Sequence, residues 1–342
     1  MTPSPRHPAA LHDDVRPSDP APLRILLAFA AIYVIWGSTY LAIRWAIESI
    51  PPLLMGGTRF LVAGGLLFAW ARARGAGLPT RMQWRAGAIA GGLMLAGGTG
   101  SVMVAEQWVP SGLAALLIAS MPLWLVLLDW MVGTGGRPSF RTVLGLALGI
   151  GGVLLLLGAP GVGGGGPKEL FGALLILGGS VSWAVGSLYS RYAPAPPRPM
   201  LWVSMQMLTG GLILTILSAL HGDLAAIDLA GISPRSWLAL AYLVVFGALV
   251  AYSAYVWLVS VVSPARVGTY AFVNPVVAIL LGGWLADEPL TSRALLAAGI
   301  ILGGVVLITL ERSSRSPVVP EPVVATDPDP EGRSLPTHPS RA

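Results

Sequence analysis

Apolar residues occur along the chain in ten stretches that are separated by short polar segments. The stretches cover residues 25–47, 53–73, 85–105, 111–132, 142–159, 170–190, 200–220, 237–258, 265–286 and 292–310. Each is close to the ~20 apolar residues with which a helix crosses about 30 Å of hydrocarbon. Open strands are excluded because lipid offers no partners to backbone N–H and C=O groups. The pattern therefore predicts an all-α integral membrane protein with ten transmembrane helices.

The second group of five stretches repeats landmarks of the first group about 150 residues later. Trp36 of the first stretch corresponds to Trp183 of the sixth, and Pro122 of the fourth corresponds to Pro275 of the ninth. Since five crossings are an odd number, the second half would enter the membrane from the opposite side. We therefore expect two inverted five-helix repeats, which place a solute site between the halves and operate by alternating access. A duplication that merely enlarged the bundle is the alternative.

The repeats divide the chain into five segments. Residues 24–159 and 170–311 are expected to form the two repeats, and the Gly-rich segment 160–169 is expected to link them. Residues 1–23 and 312–342 are rich in Pro, Ser and charge and have no apolar periodicity. We expect these two tails to be disordered, because they cannot offset their ordering entropy by burial.

The composition also indicates a membrane protein. Apolar residues make up 54% of the chain and charged residues 11%, and the mean hydropathy is +0.73, well outside the range of soluble domains. Cysteine is absent, and the four histidines lie in the tails or in a loop. Thiol chemistry and histidine metal sites are therefore excluded, and we expect no catalytic residue, metal or cofactor. The net charge of +5 comes mostly from loop arginines, which indicates topology and not nucleic-acid binding.

The orientation follows from the lysines and arginines of the short loops, which favour the cytoplasm. If the N-terminus is cytoplasmic, the inner loops hold no acidic residue and the following arginines: Arg72, Arg74, Arg81, Arg85, Arg137, Arg141, Arg191, Arg198 and Arg266. The outer loops then hold three basic residues, Lys168, Arg235 and Arg293, and the following acidic residues: Glu48, Glu106, Glu169, Asp223, Asp228, Asp287 and Glu288. The sequence therefore predicts a multi-pass protein of the inner (cell) membrane with both termini in the cytoplasm.

Ionisable residues inside the membrane cost about 2.5–3.5 kcal/mol each on insertion scales, which makes each one a site candidate. Arg59 lies within the second stretch, and Arg44 and Glu106 lie near the same membrane boundary. The planar guanidinium of Arg59 suits carboxylates and phosphates, so Arg59 either binds an anionic solute or belongs to a fixed ion pair. With Arg44 and Glu106 it would form an outer gate or a structural clasp. Glu106 is also the candidate carboxylate for proton coupling.

Two prolines lie at matching depths in the fourth and ninth stretches. Pro122 and Pro275 each lack an amide hydrogen and crowd the carbonyl four residues earlier, at Ile118 and Ala271. Asn274 adds a side-chain amide at the same level. Interrupted helices in corresponding positions are the best sequence indication of a transporter site. A kink that only aids packing is the alternative.

Aromatic rings and hydroxyl groups collect at a similar depth. They come from the first, sixth and ninth stretches and include Trp36, Ser38, Tyr40, Trp183 and Tyr270. Such a mixture suits a partly apolar organic solute. Each ring on its own is also typical of helix packing or of the interfacial aromatic belt.

Small-residue motifs occur in the fifth and tenth stretches. Gly145 is followed four residues later by Gly149, and Gly299 is followed by Gly303. Such pairs let membrane helices approach closely. Here they would either join the two halves or form a homodimer.

The order of these motifs over residues 24–310 resembles the EamA-domain family of the drug/metabolite transporter superfamily, and is most similar to its bacterial YedA-like exporters. The resemblance rests on Ile35-Trp36-Gly37-Ser38-Thr39-Tyr40, Arg59-Phe60-Leu61 after Pro51-Pro52, Val104-Ala105-Glu106 before Pro110-Ser111-Gly112, Ser182-Trp183 with Gly186-Ser187, and Tyr270-Ala271-Phe272-Val273-Asn274-Pro275-Val276-Val277. It implies a ten-helix inner-membrane carrier with two EamA repeats that exports amino acids, metabolites or drugs.

The resemblance also implies a central cavity, to which the following residues contribute: Trp36, Ser38, Tyr40, Arg59, Trp183, Tyr270 and Asn274. The small multidrug members of the superfamily use an acidic residue in the first helix, and this chain has none between Arg24 and Ile47. Their proton-antiport mechanism is therefore not carried over, although a proton stays a candidate coupling ion.

We therefore predict a secondary transporter that moves small organic solutes by alternating access within the lipid bilayer. A polytopic membrane enzyme is one alternative, but it would need a buried nucleophile with a base or an acidic metal cluster. A passive channel is the other alternative, and wide pores usually show rings of like charge or repeated filter carbonyls.

Overall fold

The computed structural model describes residues 22–132, 139–157, 166–262, 267, 269–288 and 290–315. Within them, eight helices are long and apolar enough to cross a membrane, and two shorter apolar stretches follow at Tyr270–Leu285 and Ser292–Ile308. The helices are α1 (Pro22–Ala46), α2 (Pro52–Ala73), α3 (Arg81–Ala105), α4 (Ser111–Met131), α5 (Phe140–Leu157), α6 (Pro167–Tyr192), α7 (Pro199–His221), α8 (Pro234–Leu258), α9 (Tyr270–Leu285) and α10 (Ser292–Arg315).

The described residues contain no strand, which confirms the prediction of an all-helical membrane protein. The described residues omit most of the two predicted tails, 1–23 and 312–342. They also omit most of the predicted linker, 160–169. The described part of the second tail continues α10 as far as Arg315.

Helix starts follow local sequence signals. Pro52, Pro167, Pro199 and Pro234 each occupy the first position of a helix, where the missing N–H would have no partner within the helix and the fixed φ is suitable. Thr80 forms a capping box at the start of α3, since its side chain accepts a hydrogen bond from the backbone N–H of the third helical residue. These signals position the ends of the spans.

Three of the helices are irregular near their middle. An eight-residue π-helical segment occupies Gly92–Thr99 in α3, and a second one occupies Leu243–Val250 in α8, at matching positions of the two halves. In α4 the helix stops at Ile118 and starts again at Met121. Because π-helical turns shift the backbone hydrogen-bond ladder, they are frequent at functional sites.

The two halves of the chain share one bundle. α2 lies along α7 and α5 lies along α10, while α1 lies along α8 and α9, and α6 lies along α3 and α4. The largest buried apolar cluster draws on α3 to α6, α9 and α10, and the second largest draws on α1 to α3, α7 and α8. Two small clusters join α2 to α7 and α1 to α8. Each core cluster therefore contains helices from both halves.

Glycine sets the distance between α2 and α7. A Cβ on Gly64 would lie 2.9 Å from the Cβ of Met207, and a Cβ on Gly211 would lie 2.9 Å from the backbone N of Leu61. Without side chains at these positions the two backbones approach closely, as small residues allow in membrane helices.

The two predicted glycine motifs differ in their surroundings. Gly145 packs against Gly304 of α10, and Gly149 packs against Leu123 of α4. Among the described residues, no atom lies within 4 Å of a Cβ placed on Gly299 or Gly303. The first motif therefore joins α5 to its neighbours, whereas the second is open along α10, where Gly304 makes the contact instead.

Neighbouring glycines of α10 offer a matched test of this packing. A Cβ on Gly304 would lie 2.5 Å from the carbonyl oxygen of Gly145 and 2.8 Å from the N of Gly149. We expect Gly304→Ala to destabilise the protein by about 1–3 kcal/mol, because backbone atoms must move. Gly303→Ala, with open space around it, should be neutral or stabilising by up to about 1 kcal/mol. Unfolding of both variants in detergent checks this, and equal stabilities would contradict it.

Candidate functional site

A cavity of about 430 Å³ lies between the two halves of the chain. Its walls come from α1 to α4 of the first half and from α6 to α9 of the second half. The predicted site residues that line it are Trp36, Tyr40, Arg59, Trp183, Tyr270 and Asn274. The structure thus brings together residues as far apart in the chain as Trp36 and Asn274.

Ser38 is the predicted residue that does not line the cavity. The lining residues of α1 recur with helical spacing at Trp36, Thr39, Tyr40 and Ile43, which form one face of the helix. Ser38 lies off that face. Its hydroxyl donates to the carbonyl of Ile35 at 2.8 Å and lies 2.7 Å from the hydroxyl of Tyr242 on α8. Its contacts are therefore with the helix packing and not with the cavity.

Aromatic rings form one wall. The ring centroid of Trp36 lies 5.9 Å from that of Tyr252, 5.4 Å from that of Tyr255 and 5.1 Å from that of Tyr270. Rings at these distances and in tilted or edge-on orientations attract one another beyond their apolar burial. The result is a wall of packed aromatic rings that combines phenol groups with apolar surface.

The π-helical segments form further parts of the wall. Met94, Leu95, Gly98 and Thr99 line the cavity from α3, and Gly247 with Ala248 lines it from α8. The hydropathy pattern did not predict either π-helical segment. Only the glycine-rich run from Gly91 to Gly100 could have indicated them, since glycine tolerates unusual backbone packing.

Side chains from the partner half hold both π-helical segments. The indole N–H of Trp36 on α1 donates to the carbonyl of Gly247 in α8 at 3.1 Å. The hydroxyl of Ser182 on α6 donates to the carbonyl of Leu93 in α3 at 2.7 Å. Because polar backbone groups must find partners inside a membrane, these bonds stabilise the irregular segments and connect the halves at the cavity.

Arg59 is a buried cation in the cavity wall, with only 7% of its surface exposed. Its Nε and Nη1 have no hydrogen-bond partner among the described residues. The guanidinium carbon lies 5.1 Å from the ring centroid of the adjacent Phe60. A buried charge without hydrogen bonds is costly, and the carboxylate of Glu106 acts on this guanidinium only through space.

Glu106 is buried near one end of the cavity. It follows the last residue of α3 and lies one helical turn beyond Val102, which lines the cavity. It is 2% exposed, and neither of its carboxylate oxygens has a hydrogen-bond partner among the described residues. The charges of Arg44, Arg59 and Glu288 act on it through space.

Arg44 has an ion-pair partner that no sequence pattern indicated. Its Nε lies 3.6 Å from the carboxylate of Glu288, in the connection between α9 and α10. Glu288 also accepts hydrogen bonds from the backbone N–H groups of Ser111 at 2.8 Å and Gly112 at 3.0 Å. A carboxylate is well suited to the first turn of a helix, where N–H groups are free and the helix dipole is positive.

The backbone beside Glu288 is strained. Asp287 has a backbone φ of 51°, a conformation that residues other than glycine rarely adopt. Glu288 itself is buried and fits against Gly282, where a larger residue would collide with its carboxylate. The connection is thus shaped to bring one carboxylate onto the start of α4. No sequence pattern links these positions, which are far apart in the chain.

The two prolines occupy different positions in their helices. Pro122 lies in the first turn of the second part of α4, after the interruption that follows Ile118, whereas Pro275 lies inside the continuous α9. Beside Pro275, the buried side chain of Asn274 points one end of its amide at the carbonyls of Tyr270 and Tyr33; with the amide nitrogen at that end, it donates to them at 3.2 Å and 3.3 Å. The amide thus connects α9 with α1 at the cavity wall.

Metal-binding chemistry finds no support in the part of the chain that the structure describes. No group of three or more His, Cys, Asp or Glu side chains comes together there. The charged groups around the cavity are individual arginines and carboxylates.

Comparisons with known proteins agree with this geometry. The family model described as the EamA-like transporter family matches residues 23–158 and again residues 170–310. The inner membrane transporter YedA of Escherichia coli (strain K12) is 43% identical over 285 residues, which cover 83% of this chain and 90% of YedA. A protein named "Probable amino-acid metabolite efflux pump" from the same organism is 26% identical over 286 residues, 80% of this chain and 90% of that protein.

A solved crystal structure shares the fold. It superimposes with a TM-score of 0.59 at 23% sequence identity and covers 84% of this chain and 98% of its own chain. The alignment thus extends over nearly all of that protein.

Removal of the Glu288 carboxylate should destabilise the protein. Glu288→Ala deletes the acceptor of two backbone N–H groups and leaves Arg44 without its partner, so we expect a loss of about 2–4 kcal/mol. Glu48→Ala is the matched control, because Glu48 is exposed and pairs with the exposed Arg235 at 3.4 Å, a contact worth about 1 kcal/mol or less. Thermal unfolding in detergent compares the two variants. Equal unfolding temperatures would show that the capping carboxylate is dispensable.

Proposed function

Because the chain belongs to the EamA-like transporter family and is a membrane transporter of small solutes, we propose that it is a secondary carrier which exports organic solutes such as amino acids, metabolites or drugs by alternating access. The observation that carries this proposal is the cavity between the halves. Its volume of about 430 Å³ suits a small organic molecule, and its wall combines aromatic rings, hydroxyls and the buried Arg59.

The proposed architecture is ten membrane spans in two inverted repeats of five. Four contacts between helices support it. α2 packs along its counterpart α7, α5 packs along α10, and α1 lies on α8 as α6 lies on α3. The two π-helical segments, Gly92–Thr99 and Leu243–Val250, also lie at matching positions of the repeats. A pseudo-two-fold axis in the membrane plane relates such halves, and rocking about it exposes a central site to each side in turn.

In this proposal the binding residues are the cavity-lining members of the predicted set. The apolar part of the solute contacts Trp36, Tyr40, Trp183 and Tyr270, and a polar group of the solute binds Asn274. Pro122 follows the interruption of α4, and Pro275 lies inside α9, where it provides no backbone N–H to the carbonyl of Ala271; both sites leave carbonyl acceptors beside the cavity in this proposal.

Arg44 and Glu288 form the proposed gate at the outer end. Together they connect α1, the start of α4 and the connection between α9 and α10, which belong to both halves. Opening this end requires the Glu288 carboxylate to leave the N–H groups of Ser111 and Gly112. Since each of those charge-assisted bonds contributes about 1.5–3 kcal/mol, their loss must be offset by new contacts in the outward-open state. Glu106, which is buried beside this gate, is the proposed coupling residue, with a proton as the coupling ion.

The proposed location is the inner membrane, where YedA is found by name, with both termini in the cytoplasm. Arginines in the predicted inner loops support this orientation. A homodimer through the open face of α10, where the described residues leave no atom within 4 Å of a Cβ placed on Gly299 or Gly303, is the proposed oligomer.

Saturation of flux distinguishes a carrier from a channel. We expect purified protein in vesicles to transport at least one member of a panel of labelled amino acids, anionic drugs and cationic drugs, with a rate that saturates as concentration rises. Thr99→Phe, which fills the cavity from α3, should reduce the rate by about tenfold or more, because the solute loses its space. Leu212→Phe is the control, since Leu212 is 52% exposed on α7. Flux that rises linearly without saturation would indicate a channel.

The orientation is testable because the chain contains no cysteine, so that single cysteines can be labelled without background. Leu78 and Leu229 are exposed at 76% and 66% in the connections after α2 and after α7. With cytoplasmic termini, Leu229→Cys should react with a membrane-impermeant maleimide in spheroplasts, and Leu78→Cys should react only after permeabilisation. The opposite pattern would place the termini outside.

A further inference from the structure

The charge distribution around the cavity identifies a substrate class. Resting on the proposed carrier function, we propose that the solute is an organic anion which binds the guanidinium of Arg59, and that Glu106 takes up a proton when this anion binds. The anion and the proton then cross the membrane together.

Arg59 is more than nine-tenths buried in the cavity wall, and its Nε and Nη1 have no hydrogen-bond partner among the described residues. A guanidinium withdrawn from water in this way is stable only with an acceptor that satisfies its planar set of donors. Carboxylates provide two oxygens in a matching geometry and bind such a fork with two parallel hydrogen bonds.

The cavity wall has no acidic side chain among the described residues that line it, neither Asp nor Glu. The other polar side chains of the wall are hydroxyls, indoles and the amide of Asn274, whose donor hydrogens are already directed at two carbonyls. A cationic solute would therefore meet a fixed positive charge without an acidic partner, whereas an anion would meet its complement. The aromatic wall around Trp36 accommodates an apolar body attached to the anion.

Burial disfavours the charged form of Glu106 most strongly, and the like charge of Glu288 in the connection after α9 adds to this effect, whereas Arg44 of α1 and Arg59 of α2 favour the charged form. Tyr40 of α1 also interacts electrostatically with Glu106. Of the two cations, Arg44 is already within 3.6 Å of the Glu288 carboxylate. Arg59 is therefore the cation that remains to stabilise a charged Glu106.

Anion binding changes this balance. When a solute carboxylate neutralises Arg59, a buried Glu106 carboxylate without hydrogen bonds loses its remaining stabilisation and gains a negative neighbour. Burial and like charge both disfavour its ionised form, so it takes up one proton. The site has the same net charge before and after binding. Transport is then electroneutral, and its direction follows the sum of the anion gradient and the proton gradient. Export occurs when the outward anion gradient exceeds the inward proton gradient.

Matched probes test the substrate class. Phenylacetate, phenylacetamide and phenethylammonium share one aromatic body and differ in charge, and hexanoate, hexanamide and hexylammonium repeat the series with an aliphatic body. Binding to the purified protein is measured by isothermal titration calorimetry. We expect at least one carboxylate to bind about 30-fold or more tightly than its amide and its ammonium analogue, since a buried charge pair is worth about 2 kcal/mol or more.

Variants of Arg59 test its role. Arg59→Gln should remove the preference for the carboxylate over the amide, and Arg59→Lys should keep the preference with weaker affinity. The conservative variant covers the case in which Arg59→Gln fails to fold. Arg235→Gln is the control, because Arg235 is an exposed arginine of the outer surface. A preference that survives in Arg59→Gln, or an amide or ammonium probe that binds the native protein as tightly as the carboxylate, overturns the proposal.

Proton uptake tests the role of Glu106. Calorimetry in two buffers of different ionisation enthalpy counts the protons that are bound with each anion, and we expect about one per carboxylate at neutral pH. Glu106→Gln should bind the carboxylate with no proton uptake, whereas the exposed control Glu48→Gln should behave as the native protein. Unchanged proton uptake in Glu106→Gln would refute the coupling.

The vesicle assay separates failure of this proposal from failure of the carrier function. If neutral or cationic solutes show saturable flux and neither carboxylate binds, the proposed anionic substrate class is wrong, whereas the proposed carrier function is retained. The absence of saturable flux for every solute, with no binding of any probe, would overturn both.

Discussion

The constraint on which this structure depends is that hydrocarbon offers no hydrogen bonds to the backbone. Every N–H and C=O group inside the membrane must find a partner within the protein, so the spans are helices and irregular backbone is tolerated only where protein or a water-filled cavity surrounds it. The interrupted segments obey this rule. Gly92–Thr99, Leu243–Val250 and the break after Ile118 all lie at the wall of the central cavity.

The same constraint explains how the halves are joined. Shifted turns expose carbonyls, and those of Leu93 and Gly247 are satisfied by Ser182 and Trp36 from the other half. The irregular segments therefore connect the two repeats at the cavity rather than weakening each repeat by itself. Since each apolar core cluster also draws on both halves, neither half has a core of its own. Any relative motion of the halves must exchange one set of these contacts for another.

Charged groups at one end of the bundle fall into two classes with different physical consequences. Arg44 and Glu288 satisfy each other and the start of α4, so they stabilise the observed arrangement. Arg59 and Glu106 are more deeply buried than Arg44 and lack hydrogen-bond partners at the atoms described above. Buried groups of this second kind reduce stability, and proteins retain such groups where function requires them.

Hydropathy and small-residue landmarks predicted the helical class, most of the spans and the repeat, because they are local signals that the bilayer enforces. Intramembrane cost and family resemblance also predicted Arg59, Trp36 and Asn274 as site residues, and these three line the cavity. Only the folded structure shows that Ser38 is not part of the cavity wall and that Glu288 caps α4. Such pairings depend on the rotation of each helix and on contacts between residues far apart in the chain, which no local pattern records.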